Sequence, residues 1–308
     1  MKDNLPDIQV VGLGQACVDY LGSIPAYPEE DGKVEIPDIH MQRGGPASTA
    51  LVTLARLGIR TSFLGAISDD PFGRIILEGL GREGVDASFL KKTPGYASQF
   101  SFIAINRKDG KRTIFWHRGT VPHLRPADVN LTPFSGARVF HTDGLMAEAS
   151  IEGAKQAKNR GMTVVMDAGT MRKGYRELAS LVDVLIASER FWSPLASPDH
   201  PPEAILESLR AWGPKQVIVT RGREGSIGWE GKEINLQKAF PVQARDTTGA
   251  GDVYHGAYIY GILQGWDMAR CMRFSSAAAA IKCQVVGTAQ GIPRMEDIQR
   301  FLEAHPQL

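Results

Sequence analysis

Cysteine is scarce in this chain, and its three residues, Cys17, Cys271 and Cys283, are scattered. An odd number at such positions does not suit a disulfide framework, and no pair shows the spacing of a structural zinc site. We therefore expect small, buried, reduced thiols and a cytoplasmic location.

A strong excess of charge and a long apolar run are also missing. The 308 residues include 35 Lys and Arg against 34 Asp and Glu, so the formal net charge is +1. Without a basic stretch, neither nucleic acid nor a membrane surface is an expected partner. No apolar run approaches the roughly 20 residues of a membrane span. The acidic start, MKDNLPD, is unlike a signal peptide.

The second half of the chain alternates apolar runs with helical segments. The runs lie at about residues 138–141, 163–167, 183–187 and 216–220. Apolar strands separated by helices predict a mostly parallel sheet that is covered on both faces. Apart from a proline-rich loop at residues 193–202, nothing resembles a linker or a repeat, so we predict a single domain over residues 1–308.

Three other segments, at residues 31–43, 99–105 and 112–117, alternate apolar and polar side chains. This pattern is typical of half-buried antiparallel strands, so we predict a small separate sheet. An apolar face on such a sheet needs a cover, which makes a homodimer plausible.

The most informative stretch is RDTTGAGD at residues 245–252, which runs into an apolar helix. Small residues before a helix N-terminus let backbone N–H groups approach an anion closely, and phosphate is the usual occupant. Asp252 would repel that anion, but it has a chemical role if it accepts a proton from an attacking hydroxyl. The alternative is an ordinary turn with an acidic residue near a helix start.

The full run resembles the C-terminal signature of the ribokinase-like (PfkB) family of carbohydrate and nucleoside kinases. The resemblance implies that Asp252 is the catalytic base, and that the backbone of Gly249, Ala250 and Gly251 forms the anion hole. It also implies a three-layer α/β/α domain with a small β-sheet lid, built from segments at about residues 31–43 and 97–118. In this family the lid covers the sugar and often forms the dimer contact.

The segment GGPAST at residues 44–49 matches the N-terminal glycine signature of the same family. By resemblance, Asp19, Gly44, Gly45 and Thr49 bind the substrate. Ribokinase and ketohexokinase carry an asparagine where this chain has Pro46 or Thr49, and the GGPA form is more similar to sulfofructose kinase. This departure makes plain ribose or fructose less expected as the substrate. Arg118 in the lid is a candidate partner for an anionic substrate group, with a solvated surface arginine as the alternative.

The residues that bind the nucleotide are also predicted from the resemblance to this family. TRGREG at residues 220–225 is similar to the family turn that contacts the phosphates and ribose of ATP, and Ala278 lies in a small-residue helix that borders the adenine. The family motif Asn-x-x-Glu is replaced by Ser188-Glu189-Arg190-Phe191, which leaves Glu189 as a weak candidate for Mg²⁺. In ribokinase, a loop that neighbours the region matching residues 287–293 binds a monovalent cation such as K⁺, and the resemblance leaves open whether this chain does so. The cofactor residues are predicted to be Thr220, Gly222, Gly225, Thr248 and Ala278.

These features together predict an ATP-dependent kinase that phosphorylates a primary alcohol of a sugar or sugar derivative. Two alternatives remain. One is a nucleoside kinase of the same family, in which Phe115 or His117 stacks on a base. The other is a nucleotide- or sugar-binding regulator that has lost catalysis, which the altered Asn-x-x-Glu motif allows.

Overall fold

The computed structural model describes residues 7–192 and 202–308. The loop predicted at residues 193–202 lies, except for its last residue, outside the described residues. None of the helices in these two described ranges is long and apolar enough to cross a bilayer.

Fourteen strands and ten α-helices make up the described chain. The strands are β1 (Val10–Leu13), β2 (Cys17–Ile24), β3 (Ile39–Gly44), β4 (Thr61–Leu64), β5 (Ala66–Ile67), β6 (Lys91–Lys92), β7 (Phe100–Asn106), β8 (Arg112–His117), β9 (Val139–Thr142), β10 (Thr163–Ala168), β11 (Val184–Ser188), β12 (Gln216–Thr220), β13 (Ser226–Glu230) and β14 (Glu233–Gln237). The helices are α1 (Pro46–Arg56), α2 (Pro71–Arg82), α3 (Ala147–Asn159), α4 (Tyr175–Ala179), α5 (Glu189–Trp192), α6 (Pro202–Arg210), α7 (Ala250–Leu263), α8 (Met268–Cys283), α9 (Thr288–Gly291) and α10 (Met295–Ala304).

Eight strands form the large sheet, in the order β14-β13-β12-β11-β10-β9-β1-β4. The strands from β12 to β4 pair in parallel, and β13 and β14 extend one edge in antiparallel pairing. Successive residues of a strand pack on opposite faces of the large sheet. On one face Ile186 packs in the core with α1, α7 and α8, and on the other Leu185 packs in the core with α3 and α6. The predicted three-layer architecture with a mostly parallel sheet is confirmed.

A second sheet has four strands in the order β3-β2-β7-β8, and we call it the lid sheet. Two of its strands, β7 and β8, fall where the sequence predicts them. The predicted segment at residues 31–43 is only partly a strand, because regular pairing begins at Ile39. Pro37 lacks the N–H group that a ladder needs, which accounts for the late start.

The remaining lid strand, β2, is absent from the sequence-based prediction. It pairs in parallel with β7 and in antiparallel with β3, so it occupies the centre of the lid sheet. Asp19 therefore lies on a lid strand, whereas the sequence placed it just after β1. The parallel partner of Asp19 is Ser101, which is distant in the sequence and leaves no local pattern to detect.

Candidate functional site

The turn before α7 is shaped by Gly249, the N-cap residue, whose φ of 74° lies in the left-handed region. A Cβ atom there would come within 2.5 Å of Thr288 Cγ2, so a side chain at this position is excluded. For Gly251, a Cβ atom would have no other described residue within 4 Å outside its own stretch of helix, so the space beside it is open. Glycine at these two positions thus keeps the helix N-terminus accessible.

Backbone N–H groups at this N-terminus are available to an anion. In the described part of the chain, the amides of Gly249, Gly251 and Asp252 donate to no acceptor. The amide of Ala250 donates to the Thr247 carbonyl at 3.3 Å. Of the three residues predicted for the anion hole, Gly249 and Gly251 therefore present unpaired amides, whereas Ala250 uses its own within the turn.

Helices α1 and α7 pack closely where Gly256 faces α1. A Cβ atom on Gly256 would lie 2.5 Å from the carbonyl oxygen of Ala50. At the start of α1, the amide of Ala47 donates to Asp143 Oδ2 at 3.4 Å, and Asp143 lies close enough to Asp252 for their charges to interact. The two signatures, far apart in the sequence, therefore meet at one site.

Asp19 reaches this site from the lid sheet. A Cβ atom on Gly44 would overlap the Asp19 carboxylate, and Gly45 has a φ of 105° that suits glycine. Asp19 accepts hydrogen bonds from the Ser101 hydroxyl and from Cys17 Sγ, the latter at 3.2 Å. Burial raises the pKa of Asp19, and these hydrogen bonds oppose the shift.

Thr49, also predicted to bind substrate, is buried in α1 with only 1% of its surface exposed. Its hydroxyl has no hydrogen-bond partner among the described residues. The structure therefore offers little of its surface to a ligand.

Two carboxylates that the sequence analysis missed lie near Asp252. Asp143 follows β9, and Asp167 lies near the end of β10, with its Oδ1 3.5 Å from His255 Nε2. Asp143 accepts hydrogen bonds from the amides of Gln15 at 2.7 Å and Leu145 at 3.0 Å, yet burial raises its pKa to about 6. The available signal was an acidic residue at the carboxyl end of a parallel strand, where ligands bind in such sheets.

The pKa of Asp252 is also raised to about 6. Burial is the main cause, and the negative charge of Asp167 adds to it, while interactions with His255 and Arg112 oppose it. A carboxyl group with a pKa near neutrality suits general base catalysis, because it can gain and lose a proton at working pH.

The predicted nucleotide turn follows β12, next to the end of β11, since Thr220 pairs with Ser188. Gly222 and Gly225 have φ values of 53° and 94°, which explains glycine at both. Arg221 pairs with Glu224 and is not a free cation in this structure.

The two other predicted cofactor residues and the Mg²⁺ candidate have different environments. Thr248 is buried, and its carbonyl accepts a hydrogen bond from the Thr288 hydroxyl at 3.2 Å. Ala278 is fully buried and packs in the core, so it exposes no surface to adenine in this structure. Glu189 is exposed at the start of α5. Among the residues described, no cluster of three or more His, Cys, Asp or Glu side chains is arranged to hold a metal ion.

Arg118 lies at a pocket formed together with Gln15, Gln99 and His123. Burial and the positive charges of Arg118 and Arg172 lower the pKa of His123. Arg172, which the sequence analysis did not select, therefore adds a second positive charge close to this pocket.

The sequence of this chain is similar to those of known kinases. The family model described as pfkB family carbohydrate kinase matches residues 8–295. A 5-dehydro-2-deoxygluconokinase from Clostridium perfringens is 26% identical, over 98% of this chain and 94% of the relative. A nucleoside kinase from Methanothermobacter thermautotrophicus is also 26% identical, over 96% of each chain.

Solved structures agree with these sequence matches. The structure of Arabidopsis thaliana ribokinase complexed with ribose and ATP is 26% identical and has a TM-score of 0.81. The match covers 96% of this chain and 99% of the ribokinase chain. The ribokinase-like fold expected from the sequence is therefore confirmed.

The environment of Asp252 leads to a prediction about stability. When a carboxyl group has a higher pKa in the folded than in the unfolded state, its ionisation lowers the free energy of unfolding. For Asp252 this penalty is absent below the unfolded pKa of about 4 and complete above the folded pKa of about 6. Because Asp252 is partly solvent-exposed, we expect a penalty of about 1–2 kcal/mol. Asp252→Asn should raise the thermal unfolding midpoint at pH 8 and leave it nearly unchanged at pH 4.

The control is Asp128→Asn. Hydrogen bonds from Lys91 and Arg125 hold the pKa of Asp128 well below its usual range, so loss of this carboxylate should lower the midpoint at pH 8. An Asp252→Asn variant that is less stable than the wild type at pH 8 would contradict our account of the site.

Proposed function

Because this chain belongs to the PfkB family of carbohydrate kinases, we propose that it transfers the terminal phosphoryl group of ATP to a primary alcohol of a sugar-like acceptor, with Asp252 as the base. The observation that supports this most directly is the position of Asp252. Its carboxyl group, with a pKa near neutrality, lies in the same helical turn as unpaired amides that suit a phosphate.

In the proposed reaction the acceptor hydroxyl oxygen attacks the γ-phosphorus of ATP. Its proton passes to a carboxylate oxygen of Asp252, a new P–O bond forms, and the P–O bond to the ADP leaving group breaks. The amides of Gly249 and Gly251 stabilise the charge on the transferring phosphoryl group. Asp19 accepts hydrogen bonds from substrate hydroxyls, since Gly44 leaves its carboxylate room beside α1.

Mg²⁺ is expected to enter with ATP. This ion keeps several of its waters and needs only one or two carboxylates beside the phosphates, so the residues present fit a nucleotide-borne ion without a dedicated cage. Glu189 is the candidate protein ligand, because it is exposed just after the carboxyl end of β11, next to the nucleotide turn. When bound, Mg²⁺ would neutralise part of the negative charge of the phosphates.

We further propose that the acceptor carries an anionic group. The name of the Clostridium perfringens relative points to a sugar acid of the gluconate type. In this chain, Arg118 lies at a pocket next to Gln15, and the charge of Arg172 acts on the same His123. Two guanidinium groups suit a carboxylate, because each can donate two parallel hydrogen bonds.

We place the enzyme in the cytoplasm, where ATP is available and where the free Cys17, Cys271 and Cys283 would stay reduced.

A second copy of the chain is the proposed macromolecular partner, bound through the lid sheet. Large apolar side chains that share one face of its outer strands are between 52% and 59% exposed, and we call them the lid patch: Ile39, Met41 and Phe115. Strand β8 is also an unpaired edge of the lid sheet. A partner that pairs with β8 and covers the lid patch would satisfy the hydrogen-bonding groups of this edge and bury the exposed apolar side chains.

The central test is ADP release with Mg²⁺-ATP and a panel of ketoses, aldoses, sugar acids and nucleosides. Asp252→Asn should reduce kcat by about 10²–10⁴-fold, because the acceptor proton then lacks a base. ATP affinity should change far less. In the wild type, kcat/KM should rise with pH through about 6 as Asp252 ionises. Phosphoryl transfer retained by the variant would remove Asp252 from the reaction, and turnover on nucleosides alone would favour the nucleoside kinase.

Substitution of Arg118 tests the anionic acceptor. Arg118→Ala should raise the KM of a sugar acid about tenfold or more, because a charge-assisted hydrogen bond is lost. The KM of a neutral sugar should stay the same. The control is Arg107→Ala, which removes an exposed lid arginine paired with Asp38. If the KM of every acidic acceptor is unchanged in Arg118→Ala, this arginine is a surface residue.

Dimer formation can be measured by sedimentation equilibrium. The double variant Met41→Lys and Phe115→Lys should be monomeric, since two charges in the lid patch would have to be desolvated. The matched control is Leu236→Lys, which charges an exposed leucine on β14 of the large sheet and should remain dimeric. A monomeric wild type, or a dimeric double variant, would exclude this interface.

A further inference from the structure

Lys282 is a fully buried cation that the proposed reaction does not use. It lies on α8 with 0% of its surface exposed. Its Nζ donates to three oxygens: the Asp246 carbonyl at 2.8 Å, Asp246 Oδ2 at 3.2 Å and the Val285 carbonyl at 3.3 Å. An ammonium group has three donors, so this set satisfies it completely.

Asp246 connects this ammonium group to the anion hole. Its Oδ1 accepts a hydrogen bond from the amide of Thr248 at 2.8 Å, and its Oδ2 accepts one from the amide of Gly287 at 2.9 Å. Thr288, the next residue, donates to the Thr248 carbonyl and packs against Gly249. Asp246 is itself fully buried. The Lys282–Asp246 pair therefore joins α8 to both segments that shape the turn before α7.

The three oxygens around Nζ are of the kind that bind hard cations, namely one carboxylate and two backbone carbonyls. Because Lys282 already donates to all three, a K⁺ ion coordinated there would face a positive charge within bonding distance. A K⁺ ion therefore does not fit this oxygen cluster. Burial lowers the pKa of Lys282, but the Asp246 carboxylate opposes that shift and favours the charged form.

We propose that Lys282 is a tethered monovalent cation, which holds the anion-hole turn in place so that phosphoryl transfer needs no K⁺. The proposal rests on the kinase function above. Lys282 is a positioning residue, since it reaches the turn through Asp246 and does not touch the reacting atoms. Its charge neutralises Asp246, whose carboxylate would otherwise be buried without a counter-ion beside a site that must accept phosphate.

The first test uses the wild-type enzyme in chloride salts of K⁺, Na⁺, NH₄⁺ and tetramethylammonium at equal ionic strength. We expect kcat, and the KM for ATP, to be the same in all four. The thermal unfolding midpoint should likewise be the same in K⁺ and in tetramethylammonium. Strong activation by K⁺, or a clear rise of the midpoint in K⁺, would overturn the proposal.

The second test creates space for an ion. Lys282→Ala removes the ammonium and leaves a gap, so in tetramethylammonium kcat should fall by about 10²-fold or more, as expected when oxyanion donors are misplaced. K⁺ or NH₄⁺ should restore much of that loss and raise the unfolding midpoint of this variant. Lys282→Met, which removes the charge but fills the gap, should be equally impaired and not rescued. A Lys282→Ala variant with wild-type kcat in every salt would contradict the proposal.

The control is Lys215→Ala. Lys215 also pairs with an aspartate, Asp183 at 2.8 Å, but it is largely exposed and should acquire no dependence on K⁺. If both Lys282 variants fail to fold, the wild-type salt series still decides. If no acceptor is turned over in any salt, the kinase proposal fails, whereas the proposal for Lys282 is then judged from the unfolding midpoints alone.

Discussion

Four carboxylates, those of Asp19, Asp143, Asp167 and Asp252, lie close enough to one another to interact, and much of the site serves to hold them there. Burial raises the pKa of each one, and the negative charge of a neighbouring carboxylate adds to the shift, so mutual repulsion would move them apart in a flexible site. They stay together because each is attached to a rigid element: the centre of the lid sheet, the ends of two parallel strands, and the first turn of α7. The same rigidity fixes the unpaired amides beside Asp252.

The site is assembled from both sheets. The large sheet and α7 provide the proposed base and anion hole, whereas the lid sheet provides Asp19 and its partner Ser101. The tight contact of Gly256 with α1 joins the two halves. In the proposed function, the acceptor and the phosphoryl donor are recognised by different elements, which would allow acceptor specificity to change while the phosphoryl-transfer machinery is kept.

Local patterns predicted the large sheet, two lid strands and the turn around Gly249, because strand periodicity and glycine before a helix are local properties. They did not reveal β2 as a lid strand, since its pairing with β7 joins residues about 80 positions apart. Local patterns also did not reveal the environments of Asp167 and Lys282. A buried lysine on a helix resembles a surface lysine in the sequence, and only the fold shows that it meets Asp246.

The overlap between a side chain at position 44 and the Asp19 carboxylate has an evolutionary consequence. Any residue larger than glycine at position 44 would displace that carboxylate unless the backbone moved. Position 44 is therefore not free to vary while position 19 carries aspartate. A descendant that gains a side chain at position 44 would have to shorten the residue at position 19 as well, so a new acceptor specificity is more readily reached through residues on the outer part of the lid.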